Sequence, residues 1–263
     1  MIHMSDEFVG DVAVVTGGAA GIGREISLAL ASAGVKVLAI DIDLAGLEET
    51  KKLSTVRGGE LQVFQCDVAD SKSVKLAFEY SEKEFGYCTI MVAAAAIALY
   101  TDYLSMSEKD MDRTIAVNLK GPLLCAQESL RQMEKVGKGS IVFISSVQAV
   151  MSLFGCVVYA ATKSGLIAAA RTLALETGKM GIRVNTISPG TIDTPMLDRD
   201  LASMNREEAA TFLEKVRAAN VLGRIGTPAE IADAVKYLAS SKASYVTGID
   251  LRVDAGFSAL KNF

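Results

Sequence analysis

Val12-Ala13-Val14-Val15-Thr16 runs directly into Gly17-Gly18-Ala19-Ala20-Gly21-Ile22-Gly23, where a helical pattern begins. A short apolar run, a glycine-rich turn and a helix therefore coincide. Glycines at 17, 21 and 23 permit a tight turn, close backbone approach to a pyrophosphate and tight helix-on-strand packing. The helix N-terminus adds free N–H groups and a positive dipole end. That context points to a dinucleotide site, with Gly17, Gly21, Ile22 and Gly23 as candidate contacts. No Gly-Lys-Ser/Thr follows the glycines, which excludes the nucleoside-triphosphate loop.

The same alternation continues outward. Val12–Thr16, Val35–Ile40, Leu61–Gln65, Thr89–Ala94, Ser140–Ser145, Arg183–Ser188 and Asp250–Val253 read as strands. Their flat hydrophobicity suits strands covered on both faces. Helical patterns fall near 21–33, 43–56, 71–85, 107–135, 157–179 and 228–239. Such βα alternation predicts an α/β fold: a doubly wound parallel sheet of seven strands with helices on both faces, the Rossmann architecture. The stretch 191–221 breaks the rhythm after a strand, so it is expected beyond the carboxyl ends of the sheet as a substrate lid.

The chain has 263 residues, 50% hydrophobic and 22% charged. That is near the ~250–300 residues at which one core stops growing. A single domain over 9–263 is expected, preceded by a flexible tail over 1–8. A net charge of −4 draws the chain neither to nucleic acid nor to anionic lipid. The longest uncharged apolar run, Ile90 to Tyr100, falls short of the ~18–20 residues that span a bilayer. With no secretory signal visible, a cytoplasmic protein is expected. Cysteines at 66, 88, 125 and 156 form no CxxC pair and read as buried thiols. The only histidine is His3, so no metal site and no Ser-His-Asp triad is expected. Any proton donor must be another residue.

Two further places carry chemistry. Asp41 ends the second strand, 24 residues after Gly17. A carboxylate there can accept both adenosine ribose hydroxyls and repels a 2′-phosphate, favouring NAD(H) over NADP(H). Its competing role is a helix N-cap, which Asp43 could supply instead. Tyr159 and Lys163 stand four apart on one helical face. A cation about 4 Å from the phenol, at an effective dielectric near 20, favours phenolate by about 4 kcal/mol before desolvation subtracts. Tyr159 is thereby predicted to be tuned toward operating pH as a general acid/base.

Taken together, the glycine-rich turn, Asp67-Val68, Asn118, Ser146, Tyr159-x-x-x-Lys163 and Pro189-Gly190 resemble the compact branch of the short-chain dehydrogenase/reductases. The resemblance covers Val9 to Phe257. It implies that Ser146, 13 residues before the tyrosine, hydrogen-bonds the substrate oxygen. Ser145 competes for that role, but its spacing fits less well. Tyr159 would pass the proton, and Lys163 would also bind the nicotinamide ribose. Asn118 would hold a water linking the lysine to solvent. Asp67 and Val68 would contact adenine, while Pro189, Gly190, Ile192 and Thr194 would hold the carboxamide end. The resemblance also implies a homotetramer, with helices 107–135 and 157–179 supplying one interface.

Pro122 has no N–H for the Asn118 carbonyl, so helix 107–135 should kink there or divide in two. Where the family usually reads Asn-Asn-Ala-Gly, this chain has Ala93-Ala94-Ala95-Ala96. Backbone contacts from Ala94 can persist, but Ala96 adds a methyl where room is scarce. Asp254-Ala255-Gly256 replaces Asp-Gly-Gly, a milder change. The reading is an NAD(H)-dependent oxidoreductase interconverting a secondary alcohol and a ketone. The alternative is a catalytically idle NAD-binding or scaffold protein, motivated by the alanine run. Ser146, Gln148, Phe154 and Met196 are the candidate substrate pocket, with Met151 and Leu197 beside them. This wall suits a neutral, moderately hydrophobic or hydroxylated alcohol or carbonyl compound.

Overall fold

In the computed structural model, which describes residues 8–258, seven strands form one sheet in the order β3-β2-β1-β4-β5-β6-β7. They are β1 (Val12–Thr16), β2 (Lys36–Asp41), β3 (Leu61–Gln65), β4 (Ile90–Ala93), β5 (Gly139–Ile144), β6 (Ile182–Pro189) and β7 (Asp250–Val253). Every pairing is parallel. The helices are α1 (Gly21–Ser32), α2 (Leu44–Arg57), α3 (Ser71–Phe85), α4 (Glu108–Ile115), α5 (Gly121–Val136), α6 (Val157–Thr177), α7 (Pro195–Ala202), α8 (Arg206–Ala219) and α9 (Pro228–Ala239).

The flat hydrophobicity of the strands has a direct cause. All five β1 residues are buried. Ala13 and Val15 pack with Ile26 and Leu30 of α1 and Val235 of α9. Val14 faces the other way, into a core with Phe78 of α3, Met133 of α5 and Leu166 of α6. Alternate side chains thus enter opposite cores, and neither face can be polar. The chain builds β1, β2 and β3 toward one edge, then crosses back to lay β4 beside β1. That reversal opens a crevice outside the carboxyl ends of β1 and β4, where such folds bind ligands.

The structure revises several expectations. Helix 107–135 is α4 and α5 joined by a π-helical turn, Ala116–Lys120, in which the Gly121 N–H reaches back to the Ala116 carbonyl. The widened turn immediately precedes Pro122, which has no N–H to keep the α pattern. The segment after β6 forms the helices α7 and α8, capped by Thr194 and by an Asn205–Glu208 capping box. Its base is closed by a bridge between Ile192 and Gly226. Of the expected tail, residues 1–7 lie outside the described ones, whereas Phe8 is buried in the core with α1 and α9. All four cysteines are free and buried.

Candidate active site

The glycine-rich turn leaves β1 under tight steric control. A Cβ on Gly17, whose φ is +74°, would meet the Ala95 nitrogen at 2.8 Å. One on Gly23 would lie 2.1 Å from the Gly17 carbonyl oxygen, so no side chain fits. The α1 N-cap is Ala20, with no side-chain cap, and the first turn holds no acidic residue. Its leading N–H groups therefore lack a side-chain partner, as an anion site requires. Arg24 donates to Thr50 Oγ1 at 3.0 Å and pairs with Glu49 at 2.7 Å, while Thr50 donates to the Gly18 carbonyl at 2.8 Å. These bonds pin the turn onto α2.

Asp41 closes β2 beside that turn. Its carboxylate accepts from the Ala19 N–H at 3.2 Å and the Asp43 N–H at 3.0 Å. Asp43 caps α2 by accepting from Gly46 N, so the capping role belongs to it. Asp67 accepts from Ala69 N at 2.9 Å and pairs with Arg113 of α4 at 3.1 Å. Arg113 carries no motif and was not foreseen from the sequence.

The alanine run is held from two sides. Ala94 and Ala95 N–H groups both donate to Thr16 Oγ1, at 3.0 and 2.9 Å. Asn118 is fully buried; its Oδ1 accepts from Ile97 N at 2.9 Å and its Nδ2 donates to the Ile97 carbonyl at 2.8 Å. The chain after β4 is therefore stapled without the usual amides. The replacement at Ala255 is less mild than expected: its φ of +54° makes it the one described non-glycine residue in the left-handed region. An L-residue there carries strain of roughly 1 kcal/mol.

At the chemical end, Ser145 donates to the Lys163 carbonyl at 2.9 Å and is buried, which occupies it structurally. Ser146 Oγ accepts from the Gln148 N–H at 3.2 Å and lines the same cleft as the Tyr159 phenol. Lys163 is 3% exposed and donates from Nζ to the Ile144 carbonyl at 2.8 Å, 5.6 Å from the centre of the Tyr159 ring. Without ligands in the cleft, the pKa directions run against the predicted tuning. Burial pushes Tyr159 up to about 12, with Ser146 opposing and Cys156 and Asp200 adding to the rise. Burial also brings Lys163 down to about 8. The ammonium is anchored on a backbone carbonyl, so desolvation outweighs its pull on the phenol.

These groups share one cleft of about 560 Å³. It is lined by every cofactor candidate named from the sequence and by Ser146, Gln148, Tyr159, Lys163 and Met196. Asn118 lies behind the wall. Phe154 is also outside: a turn at Phe154–Gly155 leaves its ring 85% exposed. Tyr100, Arg199, Asp200 and Phe212 line the cleft although no sequence motif marks them.

Comparison with known proteins accounts for this layout. A family model described as "Enoyl-(Acyl carrier protein) reductase" matches residues 17–258. A (3R)-3-hydroxyacyl-CoA dehydrogenase of Rattus norvegicus is 37% identical over 93% of this chain and 95% of its own. The chain is a short-chain dehydrogenase/reductase. A second such relative, D-threitol dehydrogenase of Mycolicibacterium smegmatis, is 38% identical over 95% of this chain and 93% of its own. The crystal structure of levodione reductase superposes with a TM-score of 0.91 at 30% identity, covering 96% of this chain and 99% of that one. Actinorhodin polyketide ketoreductase with NADPH gives 0.90 at 26% identity, covering 95% and 98%.

Short-chain dehydrogenase/reductases bind nicotinamide cofactors, and the residues here fit one. The glycine cradle admits no Cβ, the α1 N-terminus has no side-chain cap, and Gly190 lies against Asp254, where a Cβ would meet its Cα at 2.9 Å. The glycine-rich turn and the phenol open into one continuous cleft.

Proposed function

We propose that this protein is an NAD(H)-dependent oxidoreductase interconverting a secondary alcohol and a ketone, with Tyr159 as general acid/base. The observation that carries the reading is the cleft itself: Asp41 stands at one end, and Ser146, Tyr159 and Lys163 at the other. The bound nicotinamide supplies the carbon that exchanges hydride with the substrate. Gly17, Gly21, Ile22 and Gly23 hold its pyrophosphate, and Asp67 and Val68 its adenine. Ala94, Pro189, Gly190, Ile192 and Thr194 line the path of its nicotinamide half.

Ser146 holds the substrate oxygen beside the phenol. Tyr159, neutral in the free protein, donates its proton to that oxygen during ketone reduction and takes one back in oxidation. Lys163 holds its charge behind the ring and opposes the rise of the phenol once ligands enclose the site. The cleft's cations are Arg113, Lys163 and Arg199, and Arg113 is paired with Asp67. A 2′-phosphate at Asp41 therefore meets Asp41 and Asp43, which supports NAD(H) over NADP(H). The α7–α8 segment is read as a lid. We assign the protein to the cytoplasm as a homotetramer, a shallow apolar groove of Ile115, Leu119, Leu123 and Leu124 along α4, the π-helical turn and α5 supporting an interface there.

Following NADH absorbance with a panel of secondary alcohols separates this reading from an idle nucleotide-binding protein. Tyr159→Phe should lower kcat by about 100- to 10,000-fold while NADH still binds. Substantial residual turnover removes Tyr159 from the proton's path. NADH should also bind more tightly than NADPH in direct titration; the reverse order refutes the role of Asp41.

A further inference from the structure

The cleft holds one polar atom that neither the fold nor the proposed proton path uses. Gln148 is 9% exposed and lines the cleft, and its Oε1 is buried without a hydrogen-bond partner. A buried acceptor left empty is unfavourable, and a ligand that donates to it recovers the deficit. Across the cleft, α7 contributes Asp200, a half-buried carboxylate whose charge reaches both Tyr100 and Tyr159. Arg199, its neighbour, is exposed at the rim.

We propose that Gln148 and Asp200 make this cleft selective for a neutral substrate with a second hydroxyl, a vicinal diol or its hydroxyketone, whose additional hydroxyl donates to Gln148 Oε1. This rests on the oxidoreductase reading above and deepens it. Gln148 Oε1 and the Asp200 carboxylate facing it across the cleft are both acceptors, so the complementary ligand groups are donors. A hydroxyl fits them, whereas a carboxylate would be repelled by Asp200 and has no proton to donate. In the oxidative direction the C–H and O–H bonds at one carbinol break and its C=O bond forms. The hydrogen leaves with two electrons to the nicotinamide, and the proton leaves to Tyr159 as phenolate, the phenol having first given up its own proton to solvent. The neighbouring hydroxyl stays intact and only orients the molecule.

A site built to accept a substrate hydroxyl rejects the analogue that lacks it. The test compares butane-2,3-diol with butan-2-ol, which share a carbon skeleton, using 3-hydroxybutyrate as the anionic probe. The wild-type kcat/KM ratio of diol to mono-ol should lie at about 5- to 150-fold. In Gln148→Met that ratio should collapse toward one, because the isosteric side chain cannot accept the second hydroxyl. In Asp200→Asn, a milder change on a half-buried helix, 3-hydroxybutyrate should gain relative to the diol. A wild-type enzyme that turns over both alcohols equally overturns the proposal and leaves the oxidoreductase reading intact. So does a ratio that survives in Gln148→Met. Absence of turnover on the diol overturns this inference, and absence across the whole panel of secondary alcohols, with NADH bound, refutes the oxidoreductase reading as well.

Discussion

Lys163 shows how the role proposed for a single residue sets it against stability. Its ammonium has one hydrogen bond, to the Ile144 carbonyl, and almost no contact with water. In the folded chain it loses its proton near pH 8, against an ordinary value of 10.5. Between those values the unfolded chain binds more protons, so this group makes stability rise with pH across that window. The penalty is complete below about pH 8 and gone above about 10.5. Lys163→Met should therefore raise the unfolding free energy at pH 7 by about 2 kcal/mol, after allowing for the lost bond to Ile144. The gain should shrink by pH 10 while turnover is lost at both. Urea denaturation at the two pH values measures it; a variant less stable than wild type at pH 7 contradicts the account. The Tyr159–Lys163 spacing was legible in the sequence, but the direction of their pKa values was not. Spacing sets which groups are neighbours, whereas burial sets which protonation state is favoured.

At the scale of elements, β1, β3 and β7 have the bounds expected from sequence, and the other strands differ by a residue or so at their ends. Strands buried on both faces leave uninterrupted apolar runs that glycine or aspartate terminates. The α4–α5 junction was partly legible. Pro122 announced a break, but the π-helical turn and the use made of it came only with the structure. Asn118, inside that turn, spends its side chain on both backbone groups of Ile97. The resemblance assigned it a water, which directs attention to its main-chain carbonyl and away from this staple. Asn118→Ala should destabilise the fold by about 2 kcal/mol, since it leaves two buried backbone groups unpaired. Chemical denaturation at pH 7 checks this. Unchanged stability would mean that the Ile97 contacts are dispensable and that only the main chain of residue 118 matters.

Across the whole molecule, order is distributed unevenly around the cleft. Its floor is the sheet, where β1 and β4 are entirely buried. Its cover is α7 and α8, and α8 has no buried residue. Few buried apolar contacts imply a low free energy of local opening. Amide hydrogens of 206–219 should exchange well before those of β1 and β4, as hydrogen exchange followed by mass spectrometry would resolve. Equal protection would show α8 docked as firmly as the core and remove the support for a lid. The sequence marked this segment only as a break in rhythm, because two helices follow β6 with no strand between them.

The glycine-rich turn after β1 is largely determined by the sequence. Its parts are a backbone turn and a helix terminus built within a few residues, and at Gly23 the steric exclusion comes from the neighbouring Gly17 and Thr16 carbonyls, whereas at Gly17 the fold adds it by bringing up Ala95. The substrate end was decided by tertiary structure. Tyr100, Gln148 and Asp200 come from three separate loops and helices, and only packing turns them toward one cleft while it turns Phe154 away. Side chains so far apart in the chain meet through the fold, and their desolvation on meeting sets both their charge and their demand for a partner.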